Sequence, residues 1–95
     1  MDKQENIDNI DRKIGFTSMK KAIMEDGAID SRTKKLLALA STVAVGCDTC
    51  FITNKKLAKN AGISDEEIEE AILVASLIRL GSGLNYTWKM IEQQK

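Results

Sequence analysis

The chain's two cysteines fall within one five-residue stretch, Gly46-Cys47-Asp48-Thr49-Cys50. Two thiols separated by two residues can close a small disulfide ring. At a helix start, unpaired N–H groups and the helix dipole push a thiol toward thiolate. Thiol redox chemistry is therefore the first expectation. The 95 residues include no histidine, so no mechanism can draw an imidazole base or metal ligand from this chain. Half of a structural zinc site is a second meaning of such a pair. Zinc takes four ligands, however, and only two cysteines from each of two subunits would supply them here. Cysteines packed as small, inert hydrophobes are the plainest alternative. A thioredoxin-type arrangement would need strands around a parallel sheet, and no strand pattern precedes the motif.

The elements that hold this stretch are predicted to be helices. Proline does not occur, and 43% of the residues are hydrophobic, with Ala, Leu, Ile, Lys and Glu abundant throughout. Residues 1–12 alternate charge with Ile7 and Ile10, which is consistent with a short amphipathic helix that frays. Over residues 16–26 the positions Phe16, Met19, Ala22 and Ile23 recur at helical spacing, with Gly27 expected at C′. Asp30 is placed to cap the next helix, whose continuation over residues 36–45 is apolar nearly all round and therefore expected to be buried. The basic residues of its opening, Arg32, Lys34 and Lys35, read most simply as a solvated turn. Gly46 breaks this pattern, and a new helix is predicted from Cys47 or Asp48 to about Ala61, with Gly62 at C′.

On that helix Cys47, Cys50, Asn54 and then Leu57 or Ala58 follow at intervals of three and four and share a face. Ser64 and Glu67 form a capping box for a further helix over residues 65–80. Its apolar surface is too broad for one neighbour, which suggests a central core helix, a subunit interface, or both in turn. Gly81-Ser82-Gly83 reads as a turn and residues 84–93 as a last helix, in which Tyr86 and Trp88 pack rather than stack on nucleobases.

Composition bounds the partners. Fourteen basic residues balance fourteen acidic ones, so charge gives no argument for nucleic acid or an acidic membrane surface. The start of the chain is charged and no apolar run approaches a bilayer span, which leads to the expectation of a soluble, cytoplasmic protein. One all-α domain over residues 1–95, with residues 1–14 as a frayed extension, is the expected class. At this size oligomerisation would help stability.

Several stretches together carry a resemblance. They are residues 27–30 (GAID), 34–40 (KKLLALA), the thiol motif itself, and 61–72 (AGISDEEIEEAI). In this order and spacing they resemble the carboxymuconolactone decarboxylase family, and within it the AhpD-like alkylhydroperoxidases. The resemblance spans roughly residues 16–80 and implies an all-helical domain of five to six helices built around a helical hairpin. It further implies trimers or hexamers, with the thiols near a subunit interface. It implies a hydroperoxide substrate, a dithiol reductant protein or lipoyl-type donor, and no cofactor. By the same resemblance Cys50 is the attacking, peroxidatic thiol and Cys47 its resolving partner, whereas the helix-terminus argument favours Cys47 as the lower-pKa thiol. Both assignments stand at this point.

The family also carries a proton relay: a glutamate twelve residues before the first cysteine and a histidine four after the second. Those positions here are Lys35 and Asn54. Asn54 cannot take a proton near neutral pH, and Lys35 is cationic unless strongly desolvated, so neither performs the relay step. An ammonium near the pair would instead favour thiolate by charge. The expected function is therefore disulfide exchange or hydroperoxide reduction through Cys47 and Cys50, with Lys35 and Asn54 as candidate helpers. Two alternatives remain beside it: a non-catalytic oligomeric scaffold or redox sensor of the same fold, and a lactone-acid decarboxylase whose proton donor is hard to name without histidine.

Overall fold

The computed structural model describes residues 2–94, leaving Met1 and Lys95, the ends of the expected single domain, outside the described residues. Five helices account for most of these residues: α1 (Lys3–Ile14), α2 (Phe16–Met24), α3 (Ser31–Val45), α4 (Asp48–Asn60) and α5 (Asp65–Gln93). No strand occurs among the described residues. The all-α class is as expected. The chain divides into two compact units, one ending at Ser31 and the other beginning at Arg32.

In the first unit, α1 opens on Asp2, whose carboxylate accepts the Glu5 N–H at 2.8 Å. It closes on Gly15 at φ 66°, a left-handed conformation that favours glycine, with the Gly15 N–H on the Asp11 carbonyl. The amphipathic pattern is thus a full twelve-residue helix. α2 ends earlier than a C′ role for Gly27 implies: Glu25 turns extended, φ −68° and ψ 158°, before Gly27 is reached. The Asp26 side chain is then free of the helix and accepts the Ser31 N–H at 2.6 Å, at the start of α3. No side chain of α1 or α2 is buried.

The second unit has the core. Leu39 of α3 is fully buried, against Ala58 of α4, Ile63 of the following turn and Ile68 of α5, with Leu36, Phe51 and Ile72 packed around them. Each of the three helices therefore contributes to one cluster. Truncating Leu39 to alanine would cost about 2–5 kcal/mol, a large part of a small domain's stability.

α3 and α4 end in the same way. At α3, the Gly46 N–H bonds to the Val43 carbonyl at 3.2 Å and the Cys47 N–H to the Thr42 carbonyl at 2.9 Å. At α4, the Gly62 N–H bonds to the Lys59 carbonyl at 3.0 Å and the Ile63 N–H to the Ala58 carbonyl at 3.1 Å. Each set is a Schellman motif, with Gly46 at φ 75° and Gly62 at φ 83° in the left-handed C′ position. The second motif also makes the apolar contact that usually accompanies it, since Ala58 and Ile63 share the core.

α5 corrects one sequence expectation. The Gly81-Ser82-Gly83 turn and the separate helix over residues 84–93 are absent, and one helix of 29 residues runs through them. Neither Gly81 nor Gly83 adopts positive φ. A helical glycine costs about 1 kcal/mol against alanine. Two such residues weaken a helix without ending it when proline is lacking and α-helical bonding continues on both sides. The helix begins as expected, with the Ser64 hydroxyl accepting the Glu67 N–H at 3.1 Å and the Glu67 carboxylate accepting the Ser64 N–H at 3.3 Å. Despite its length, no helix among the described residues is long and apolar enough to cross a membrane.

Candidate functional site

The motif occupies the junction of α3 and α4, and each of its residues is placed by a backbone requirement. Gly46 reverses the chain after α3. Cys47 follows as the N-cap of α4, with extended backbone at φ −100° and ψ 97°. Its Sγ accepts the Cys50 N–H at 3.3 Å, which places sulfur where a serine or aspartate oxygen usually stands. Cys50 lies one turn along, at N3, and the two sulfurs are joined as a disulfide across a Cα–Cα distance of 5.3 Å. Cys47 is half-buried and Cys50 is exposed.

Asn54 lies one turn beyond Cys50, half-buried, and its Nδ2 donates to the Cys50 carbonyl at 2.7 Å. Its side chain is thus spent on the backbone that carries the second cysteine. Lys35 is half-buried in the second turn of α3. Roughly 15 Å of helical rise separate it from Val45, so α3 holds it at the far end from the motif. Cys47, Cys50 and Asn54 are therefore gathered within about two turns, and Lys35 is not carried to them by its own helix.

Arg79 is brought to the site from α5, thirty-six residues along the chain from its acceptor. Its Nη1 donates to the Val43 carbonyl at 3.0 Å and lies 3.7 Å from the point where a Cβ on Gly46 would sit. Sequence reasoning missed this residue. One signal was available: Arg79 is the sole charged side chain between Glu70 and Lys89, in an otherwise uncharged stretch of helix.

Beside the site, Phe51 packs against the core and lines an open groove of about 370 Å³ between α4 and α5, together with Ile68, Ile72 and Leu73 and with Lys55 and Lys59. Lys59 is paired with Asp65 at 2.9 Å, which lowers the Asp65 pKa. Among the described residues, no group of three or more cysteine, aspartate or glutamate side chains is gathered as a metal site.

The model of the carboxymuconolactone decarboxylase family matches residues 14–93. A protein of Paracoccus denitrificans, known as uncharacterized protein 4 in the cox locus, is 36% identical over 76 residues, covering 80% of this chain and 68% of that protein. An uncharacterized protein of Cupriavidus necator is 28% identical over 76 residues, covering 80% of this chain and 67% of its own length. Among solved structures, a protein of Methanobacterium thermoautotrophicum superposes with a TM-score of 0.76 at 35% identity, covering 83% of this chain and 91% of its own. A carboxymuconolactone decarboxylase family protein of Thermotoga maritima superposes with a TM-score of 0.61 at 25% identity, covering 88% and 96%. An involvement of that protein in antioxidative response has been suggested.

Proposed function

The chain belongs to the carboxymuconolactone decarboxylase family, and from that premise we propose that it is a thiol–disulfide redox protein whose Cys47–Cys50 pair cycles between disulfide and dithiol. The observation that carries this reading is the disulfide itself, set at the N-terminus of α4 with one cysteine half-buried and the other exposed. An inert core pair would have neither the exposure nor the N-cap position.

The geometry divides the labour between the two sulfurs. In the reductive half, a thiolate of a dithiol donor attacks the Sγ of Cys50, the exposed residue of the pair. A donor–Cys50 disulfide forms, the Cys47–Cys50 bond breaks, and the electron pair stays on Cys47. That leaving thiolate is stabilised by the Cys50 N–H and by the α4 dipole, and a thiol of lower pKa leaves faster. The donor's second thiol then releases Cys50 and leaves the donor oxidised.

In the oxidative half, the Cys50 thiolate attacks the terminal oxygen of a hydroperoxide, the O–O bond breaks with the hydroxyl left on sulfur, and the departing alkoxide takes a proton from water to leave as the alcohol. The resulting sulfenic acid condenses with Cys47 to restore the disulfide and release water. Cys50 is thus the attacking thiol by exposure, in agreement with the family resemblance, and Cys47 is the better-stabilised one. With Lys35 and Asn54 in the relay positions, no side chain of the relay deprotonates Cys50, so peroxide turnover is slow compared with disulfide exchange.

The deciding measurement is made on the wild type, Cys47→Ser and Cys50→Ser. Mild oxidation of the wild type should remove two hydrogens by mass spectrometry, reversibly with a dithiol, and Cys50→Ser should abolish steady-state turnover of an alkyl hydroperoxide with dithiothreitol. Given one equivalent of hydroperoxide and no dithiol, Cys47→Ser should stop at a Cys50 sulfenic acid that dimedone captures. A protein that forms no intramolecular disulfide would be a scaffold rather than a redox protein.

A further inference from the structure

Cys47 stands between two helix ends of opposite sign. The N-terminus of α4 favours its thiolate, whereas the C-terminus of α3, which ends two residues earlier, carries about half a negative charge and disfavours it. Left alone, the two would largely cancel.

Arg79 meets the unfavourable end. Its Nη1 donates to the Val43 carbonyl at 3.0 Å, an acceptor already engaged by the Gly46 N–H. A guanidinium there places a full positive charge on the last turn of α3. The 3.7 Å approach to the Gly46 Cβ position bounds the distance from Nη1 to the Cys47 Cα at about 9 Å. Of the other charged groups, α3 contributes none between Leu36 and Val45, α4 contributes Asp48 beside Cys47, and α5 contributes Arg79 alone between Glu70 and Lys89. No carboxylate among the described residues pairs with Arg79. Its charge is therefore not spent locally.

We propose that Arg79 is a positioning residue for the redox pair: by neutralising the C-terminus of α3 through the Val43 carbonyl, it leaves Cys47 under the favourable field of α4 and so supports the thiolate released when the disulfide opens. This rests on the disulfide-exchange reading above and adds to it a source of thiolate stabilisation that needs no base. It assigns to Arg79 the electrostatic part that a cation at position 35 cannot supply from the far end of α3.

The test is the pH dependence of Cys47 alkylation by iodoacetamide in the fully reduced protein, read at the Cys47 peptide by mass spectrometry. This readout uses neither donor nor hydroperoxide, so it stands even where turnover fails. Arg79→Gln keeps a donor for Val43 but removes the charge, and should raise the midpoint by roughly half a pH unit. Arg79→Lys, which keeps the charge, should titrate close to wild type. A midpoint unmoved in Arg79→Gln, or moved as far in Arg79→Lys, overturns the assignment. If circular dichroism finds Arg79→Gln unfolded, ionic strength asks the same question of the wild type. At about 1 M salt, with a screening length near 3 Å, the Cys47 midpoint should rise by a comparable amount, and an unmoved midpoint is equally fatal.

Discussion

Glu67 holds two helices with one carboxylate. It accepts the Ser64 N–H within the capping box and pairs with Arg32 of α3 at 2.7 Å. Its pKa is accordingly pulled from 4.5 to about 2, chiefly by Arg32 and then by the Ser64 backbone and hydroxyl. Because the folded value lies below the unfolded one, the stabilisation is present in full above about pH 4.5 and fades as pH falls toward 2. Glu67→Gln should therefore melt below wild type at pH 7, and the gap should close between pH 4.5 and 2. A gap that persists unchanged to pH 2 would show that the charge contributes nothing. The capping half of this arrangement is readable from four consecutive residues, 64–67. The Arg32 half is not, since it spans thirty-five positions and depends on how α3 lies against α5. Arg79 is hidden from sequence for the same reason: a side chain that acts on another helix's carbonyl leaves only its isolation among apolar residues as a trace.

At the scale of elements, the stops after α3 and α4 are legible because glycine alone suits the left-handed C′ position, and both Gly46 and Gly62 adopt it. The same residue type misleads at Gly81 and Gly83, where the chain simply accepts the lower propensity and α5 continues. No atom lies near a Cβ added at either position. Gly81→Ala and Gly83→Ala should therefore each stabilise the protein by about 0.4–1 kcal/mol, through lost freedom in the unfolded chain. Chemical denaturation checks this, and a loss of stability in both would mean that the helix needs its flexibility there. The end of α2 is misjudged in the same way: the apolar positions through Ile23 lie inside the helix, but Glu25 leaves it two residues before Gly27, so that glycine is not its stop.

At the scale of the molecule, burial is thin for the hydrophobic content. Leu39, Ala58, Ile63, Ile68 and Ala75 are buried, whereas Leu73, Val74, Leu77, Ile78 and Leu80 of α5 are each about 60% exposed. Contiguous apolar faces of this kind are typical of interaction surfaces, and a second copy of this chain is the partner we propose for this one. We expect the protein to elute as an oligomer well above 10.5 kDa in light-scattering chromatography. Leu77→Asp should shift it toward monomer and lower its melting temperature in a concentration-dependent way. A wild type that stays monomeric at high concentration would remove this expectation.

Cys47 serves two helices at once, its N–H closing α3 and its sulfur opening α4. For the second task sulfur is a poor choice, because an N-cap prefers the oxygen of serine, asparagine or aspartate. A hydroxyl would fill the same position with a shorter and stronger bond. The architecture at this joint is thus indifferent, or even averse, to the atom it holds, and could discard the chemistry in a single substitution while keeping the fold intact.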